Sequence, residues 1–249
     1  MDRILYTAAN GAARILEQQS VIGNNMANVS TAGFREQLAV YRSVPVVPQA
    51  GELPTRVATV ASTPGSHFRQ GAMNETGRAL DAAIAGEGWF AVQTPQGEAY
   101  TRAGEFAVND RSQLVTHAGL PVLSNEGQPI EVPERGSITF ATDGQISALG
   151  AGDNPRDIQL IGQLKLVNPP AGQLRRGDDG LFRLADGQAA QADPAVKIAP
   201  GFVEQSNVDP AAAMVAMISN ARQFEMQMKV IQSANTNEER GNSILSAAG

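Results

Sequence analysis

Few side chains in this sequence are of the types that carry out catalysis. Cysteine is absent, which excludes a thiolate nucleophile, a disulfide and a cysteine-based metal site. The two histidines, His67 and His117, have no serine and aspartate arrangement nearby and match no zinc motif. The segment RGDDG at Arg176 contains a carboxylate pair and an Arg-Gly-Asp tripeptide, but its spacing is typical of a solvated turn and not of a metal site. The sequence therefore predicts no catalytic and no metal-binding residue.

Motifs for cofactors and sugars are equally weak. The segment GEGWFA at Gly86 fits a relaxed dinucleotide-binding fingerprint, but the residues after it alternate as in a strand and do not open a helix. Asn28 in NVS and Asn74 in NET begin glycosylation sequons, which matter only on a secretory route. Trp89 is expected in the core and not as a platform for a ligand. We therefore predict no cofactor and no small-molecule substrate.

Length and charge narrow the class of protein further. The 249 residues, 42% of them hydrophobic, can bury one large core or two modest ones. The net charge of -6, without any run of Lys and Arg, does not favour a nucleic-acid partner. The N-terminal residues carry spaced charges where a cleaved signal peptide would be apolar, and no segment has the roughly 18 apolar residues of a membrane span. These features are typical of a cytosolic protein, and they also allow export by a route that cleaves no signal.

Both ends of the sequence have the alternating three- and four-residue spacing of a heptad seam. At the N-terminus the spaced residues are Ile4, Ala8, Gly11, Ile15, Gln18, Ile22, Asn25 and Val29. At the C-terminus they are Met214, Met217, Ala221, Phe224, Met228 and Ile231. Asp209 followed by Pro210 predicts a capped helix start. Because a lone heptad helix exposes its apolar stripe to water, we expect each terminal helix to pack against the other or against other subunits.

The residues between the two helices are typical of β-structure. Asp-Gly pairs at Asp143, Asp179 and Asp186 indicate turns, and a hairpin is predicted around the segment PQG at Pro95. The segment IQLIGQLKLV alternates, which predicts one shared face for Ile158, Leu160, Leu164 and Leu166. Many short strands at regular spacing favour an antiparallel sandwich or barrel-like fold.

The predicted fold class is therefore α+β, and mainly β. We expect an antiparallel β-rich middle domain flanked by N- and C-terminal helices that pair as a coiled-coil-like core. The predicted division is an N-terminal helix over 1–33, a β-rich outer domain over 34–205 and a C-terminal helix over 206–249. The first and third segments together would form one core domain.

The N-terminal helix ends in the unusual stretch NNMANVSTAGFR, which begins at Asn24. Asn25 and Asn28 lie where the helix ends, and asparagine tolerates the left-handed conformation that closes helices. Amides at Asn24 and Asn25, on or beside the seam, would fix register and partner choice. Gly33 can take a positive φ, and Phe34 can pack back onto the last helical turn.

Three stretches resemble motifs of the bacterial flagellar axial proteins, which are the rod and hook subunits. The first resemblance is carried by Asn24, Asn25, Ala27, Asn28, Thr31, Gly33 and Phe34. The second is the block TGRALDAAIAGEGWFAVQTPQGEAYTRAGEFAV, and the third is GFVEQSNVDPAAAMVAMISNARQFEMQMKVIQ. They span most of the chain in the family's order. Ser112 departs from the pattern, because the family often carries glycine in that turn, and Ala32 stands where many members have proline.

The resemblance implies a structural subunit of the flagellar rod and not an enzyme. Within the family the chain is most similar to proximal-rod subunits, with the distal rod as the nearest alternative. Such subunits are exported unfolded through the flagellar type III apparatus without signal cleavage. They assemble with other rod proteins and with copies of themselves in the basal body, and they transmit torque. The expected assembly interface comprises Ile4, Ile15, Ile22, Asn24, Asn25, Asn28, Gly33, Phe34, Met217, Phe224, Met228 and Ile231.

Two other classes of function remain open at this point. An exported β-rich binding module or adhesin would have a ligand cleft on the middle domain and a dispensable helical seam. A hydrolase built from scattered carboxylates ranks below it. Limited proteolysis distinguishes these classes, because a rod subunit should lose both ends quickly while residues near 35–205 resist.

Overall fold

The structure contains two long helices, and the other elements lie between them in the sequence. The computed structural model describes residues 2–45, 57–61, 65–132, 136–150 and 158–247. Helix α1 spans Asp2–Ala27, and helix α2 spans Pro210–Ala247, a length of about 57 Å for its 38 residues. Within the described ranges, neither helix has the length of apolar sequence that a membrane crossing needs.

The start of α2 is built as the sequence predicts. The Asp209 carboxylate accepts hydrogen bonds from the backbone N–H groups of Ala211 and Ala212 at 2.9 and 3.1 Å. Pro210 occupies the first helical position, where a missing N–H costs nothing. The predicted cap is therefore confirmed.

Short strands fill the region between the helices, together with one turn of 3-10 helix at Ala171–Gln173. The described strands are β1 (Gln37–Leu38), β2 (Tyr41–Pro45), β3 (Val57–Ala61), β4 (Gly65–Ser66), β5 (Met73–Glu75), β6 (Ala82–Ala85), β7 (Trp89–Thr94), β8 (Gly97–Thr101), β9 (Phe106–Val108), β10 (Leu114–Thr116), β11 (Gly136–Phe140), β12 (Gln145–Gly150), β13 (Gln159–Gln163), β14 (Leu166–Val167), β15 (Leu174–Arg176), β16 (Phe182–Leu184), β17 (Lys197–Pro200) and β18 (Phe202–Glu204). All pairings between them are antiparallel. The predicted architecture of two terminal helices and an antiparallel β-rich middle is confirmed.

The chain divides into two compact units. The helical unit comprises Met1–Val29, Glu36–His67 and Val208–Gly249, and the β unit comprises Ser30–Arg35 and Phe68–Asn207. The sequence division assigned residues 36–67 to the middle domain, but the described residues of this range group with the helices. The short segment directly after α1 belongs with the β unit.

In the helical unit, α1 packs along α2 and also contacts β1 and β3. Strand β1 pairs with β4, and β2 pairs with β3. The Tyr41 hydroxyl donates a hydrogen bond to the Arg14 carbonyl at 3.0 Å, which fixes β2 to the middle of α1. The helix pair is therefore reinforced by a small β-structure supplied by residues that follow α1.

The β unit contains the larger sheets. One has five strands in the order β14-β7-β8-β16-β15, and another has three in the order β11-β12-β13. The predicted hairpin is confirmed, since Thr94 pairs with Gly97 across a two-residue loop. The main core is formed by the buried side chains Ile84, Phe90, Phe106, Leu114, Ile146 and Leu164.

The expectation of one apolar face in the segment IQLIGQLKLV is wrong. Ile158 and Leu160 are exposed, whereas Leu164 and Leu166 are buried. The reason is a β-bulge in β13: Ile146 pairs with Gly162, yet its neighbour on β12 pairs with Leu160. The extra residue reverses which face the following side chains occupy.

The turn between β9 and β10 holds an unusual backbone conformation. Ser112 has a φ of 57°, and it is the one non-glycine residue with positive φ in the described part of the chain. Asn109 supports the turn, because its side-chain oxygen accepts hydrogen bonds from the N–H groups of Arg111 and Gln113. Ser112 therefore holds, without glycine, a left-handed conformation that glycine adopts more readily.

Candidate functional site

One face of α2 follows heptad spacing and packs toward α1. The α2 seam, as we define it, comprises the buried or half-buried residues Ala213, Met217, Asn220, Phe224, Gln227, Ile231 and Ala234. The sequence placed Met217, Phe224 and Ile231 on this face, and the structure does so too. Met228, which was expected beside them, is 38% exposed. At three other positions the seam lies one residue before the predicted one: Ala213, Asn220 and Gln227 take the places predicted for Met214, Ala221 and Met228.

The matching face of α1 comprises Ala8, Ala12, Ile15, Gln19 and Ile22. Ile15 and Ile22 were expected there, and Ile22 is buried. Ile4 was also expected there, but it is 59% exposed at the start of the helix. Gly11 lies against α2, because a Cβ placed on it would come within 3.3 Å of the Gln227 side chain.

A second apolar face of α2 remains exposed. We call it the exposed stripe, and it comprises Met214, Ile218, Ala221 and Met228, which again follow heptad spacing. Ile218 is 56% exposed. The charged Glu225 lies between Ala221 and Met228 on this face, so Met214, Ile218 and Ala221 form its uninterrupted apolar part. Exposed apolar patches mark protein–protein interfaces. The predicted C-terminal seam is thus divided in the structure, since some of its residues lie on the α2 seam and others on the exposed stripe.

The asparagines at the end of α1 bond within the chain. The Asn25 side chain is buried and makes two hydrogen bonds to one residue: its amide donates to the Gln37 carbonyl at 2.9 Å, and its oxygen accepts from the Gln37 N–H at 2.8 Å. It thereby holds β1 against α1. The Asn28 side-chain amide donates to the Asn24 carbonyl at 2.9 Å, and the Asn28 backbone N–H donates to the same carbonyl at 3.2 Å, so Asn28 closes the last turn of α1 twice. Neither asparagine takes the expected left-handed conformation.

Gly33 takes the positive φ that the sequence predicted, at 68°. Its N–H donates to the Glu204 carbonyl at 2.7 Å. A Cβ on Gly33 would lie 2.3 Å from the carbonyl carbon of Arg102, so a larger residue would collide with backbone. Phe34 is buried in the β unit, where the Arg176 guanidinium lies 4.4 Å from its ring centroid.

A buried ionic cluster lies beside Gly33. Arg35 donates to Glu204 at 2.5 Å, and Arg102 donates to the other oxygen of the same carboxylate at 2.9 Å. The Gly71 N–H adds a third hydrogen bond to Glu204 at 2.8 Å. Burial lowers the pKa of both guanidinium groups, while the Glu204 carboxylate opposes that change. The cluster holds the segment that follows α1 to the strand that precedes α2.

Sequence reasoning assigned no role to this cluster. Arg35, Arg102 and Glu204 all lie inside the motif stretches, but Arg35 is not among the residues that carry the first resemblance. The available signal was a charged residue directly after apolar strand residues, as for Glu204 after Phe202 and Val203. That signal identifies a buried charge without identifying its partner, which lies 169 positions away.

The β unit also contains an open cleft of about 430 Å³. It is lined by Asn168–Pro170, Gln173, Leu184, Asp186 and Gln188–Pro194, without any aromatic or basic side chain. Among the residues that the structure describes, no three His, Asp or Glu side chains come together as a metal site. The cleft therefore has neither an aromatic platform nor a positive charge with which to hold a ligand.

Three family models match the chain in succession. Residues 5–35 match the model described as flagella basal body rod protein, and residues 83–148 match the flagellar hook protein FlgE/F/G D1 domain. Residues 199–244 match the flagellar basal body rod FlgEFG protein C-terminal model. These ranges include the first and third motif stretches, most of the second, and most of α1 and α2.

Full-length relatives agree with these models. The chain is 47% identical to the flagellar basal-body rod protein FlgF of Escherichia coli K12 and 48% identical to that of Salmonella typhimurium LT2, each over 99% of both chains. It is 31% identical to the rod protein FlgG of Bacillus subtilis 168 over 94% of this chain and 96% of that protein. The matches confirm the predicted resemblance and place the chain in the flagellar basal body. The chain therefore belongs to the family of flagellar basal-body rod proteins, which are structural proteins and not enzymes.

Proposed function

We propose that the chain is a subunit of the proximal rod, exported unfolded through the flagellar type III apparatus and assembled through its terminal helices. In the assembled rod it would contact other rod proteins and copies of itself and pass on torque. The proteins named FlgF from Escherichia coli K12 and Salmonella typhimurium LT2 resemble it along its whole length with nearly half of their residues identical, whereas the relative from Bacillus subtilis named FlgG shares about a third. This difference favours the proximal over the distal rod.

The observation that carries the proposal is the exposed stripe of α2. Met214 is 53% and Ile218 is 56% exposed although α2 already packs on α1 along another face. Complete burial of such a side chain contributes roughly 1.5–3 kcal/mol, so a second helix that covers the exposed half of each would gain on the order of 1 kcal/mol per residue. We infer that helices of neighbouring subunits cover it and that α1 and α2 form a coiled-coil-like core.

The expected interface residues divide into two roles in this proposal. Met217, Phe224 and Ile231 hold α2 to α1, while Met228 and Ile4 contact neighbouring subunits. Asn25, with the rest of the NNMANVSTAGFR stretch, fixes the end of α1 and the β1 strand beside it. When the α1–α2 pair is correctly formed, the exposed stripe would face the neighbouring subunits.

The test uses a charge placed on the exposed stripe. We expect Ile218→Glu to fold but to be missing from purified basal bodies and to abolish motility, because a buried carboxylate in the interface is costly. Leu160→Glu is the matched control, since Leu160 is a 64% exposed apolar residue of the β unit. The control should assemble normally.

Gene deletion separates the proposal from its alternative. Loss of motility on deletion, together with co-purification of the tagged protein with rod particles, supports the rod subunit. Normal assembly of Ile218→Glu would contradict the role of the stripe. Absence of the protein from basal bodies with intact motility would favour the β-rich binding module instead.

A further inference from the structure

Two side-chain amides on the facing seams of the helix pair each have one buried atom that lacks a hydrogen bond. The Gln19 side-chain oxygen and the Asn220 side-chain nitrogen are both inaccessible to solvent and have no partner among the described residues. Asn220 is only 4% exposed. The Gln19 oxygen is a hydrogen-bond acceptor and the Asn220 nitrogen is a donor, so the two atoms could bond to each other.

The helix pairing places these two side chains at the same level. Gly11 lies beside Gln227, and Ile4 shares a cavity of about 300 Å³ with Lys229, Val230, Ser233, Ala234 and Asn237. The α2 residue number falls as the α1 number rises, so the helices are antiparallel. Since both helices rise by about 1.5 Å per residue, moving eight residues from Gly11 to Gln19 corresponds to moving eight residues back from Gln227, next to Asn220.

We propose that Gln19 and Asn220 form a polar layer that fixes the register of the α1–α2 pair, by a hydrogen bond from the Asn220 amide to the Gln19 carbonyl oxygen. A heptad seam repeats every seven residues, so its apolar layers alone permit slippage by one heptad. Small residues such as Ala8, Ala12 and Ala234 do little to favour one register over another, because they fit against many neighbours.

Slippage by one heptad removes the match between the two amides. In one direction Asn220 would face Ala12, and Gln19 would face Ala213. Both amides would then be buried without a partner. In the other direction Asn220 would face Met26. A buried amide without a partner disfavours a state on the order of tenfold or more, so one register dominates.

The absence of cysteine makes the register directly measurable. Gly11→Cys with Gln227→Cys reports the described register through disulfide formation. Ile4→Cys with Gln227→Cys reports the slipped register that leaves both amides unpaired. In the described register, the second pair is about seven residues apart along the axis, or about 10 Å, which is too far for a disulfide.

We expect the full-length parent chain to form the first disulfide at least about tenfold more than the second. Gln19→Leu with Asn220→Leu should raise the slipped fraction about tenfold or more, because an apolar layer fits either register. Exchanging the amides, as Gln19→Asn with Asn220→Gln, should keep the parental ratio. Gln223→Leu is the control, since it removes an amide from an exposed position of the same helix.

Three results would overturn the proposal. The parent could form both disulfides equally, the double leucine variant could keep the parental ratio, or neither pair could cross-link. Circular dichroism of each variant confirms that the helices remain formed, so a changed ratio reports register and not unfolding. The inference concerns one chain and does not depend on the proposed function.

Discussion

Removing the charge of Glu204 is the sharpest test of how the β unit is held together. Glu204→Gln keeps the size of the side chain but leaves Arg35 and Arg102 without their counter-ion. The side chains of these arginines are 0% and 4% exposed, so water cannot replace the carboxylate. Breaking a buried ion pair in this way costs about 3–5 kcal/mol. That is a large part of the roughly 5–15 kcal/mol that stabilises a typical domain.

Trp89 provides a direct assay for this change. It is the only tryptophan, it is buried, and its ring lies 5.8 and 5.4 Å from the guanidinium carbons of Arg35 and Arg102. Urea unfolding followed by its fluorescence therefore reports on the cluster itself. With a slope of about 1–3 kcal/mol per M, the expected loss lowers the urea midpoint by roughly 1–5 M.

The control for Glu204→Gln is Asp179→Asn, which removes the exposed pair between Asp179 and Arg183 at 2.6 Å. Exposed pairs contribute about 0–1 kcal/mol, so its midpoint should barely move. Replacing Arg35, Arg102 and Glu204 together by methionine should recover most of the stability lost in Glu204→Gln, because no buried charge is then left unpaired. If Glu204→Gln and the control shift the midpoint equally, the cluster does not stabilise the fold as argued.

Three further predictions concern the seam, a turn and alkaline pH. Phe224→Ala should lower the free energy of helix unfolding by about 2 kcal/mol, as measured by circular dichroism. This is less than the 3–5 kcal/mol expected for a fully buried ring, because Phe224 is half-buried. An unchanged unfolding transition would place Phe224 outside the seam. Ser112→Gly should raise the melting temperature, since glycine adopts a φ of 57° with about 1 kcal/mol less strain, and a lower melting temperature would contradict this. Burial raises the pKa of Tyr100 above its ordinary 10.0, so the unfolded chain loses that proton first. Stability should therefore fall as pH rises above about 10, and Tyr100→Phe should flatten this decline in urea titrations, whereas an identical decline would exclude Tyr100 as its cause.

The sequence predicted those features whose causes lie within a few residues. The Asp209 cap and the Pro210 that follows it act within one helical turn, and the hairpin loop at Pro95 joins strands that are neighbours in sequence. Gly33 was recognised because only glycine readily takes a positive φ. The family motifs were recognised for a related reason, because the residues of each motif are close together in sequence and belong to one local structure. The fold class and the family followed from such signals.

The tertiary structure decided what depends on distant partners. Heptad spacing allowed two stripes on α2, and only the position of α1 selects Phe224 over Met228 for the intrachain seam. One bulged residue in β13 reversed the faces of Leu160 and Leu164, because strand alternation is counted from the pairing and not from the sequence. Glu204 finds Arg35 across 169 positions, a separation that no local pattern encodes. Local conformational preference depends on each residue and its sequence neighbours, whereas burial and charge pairing depend on residues that come together only when the chain folds.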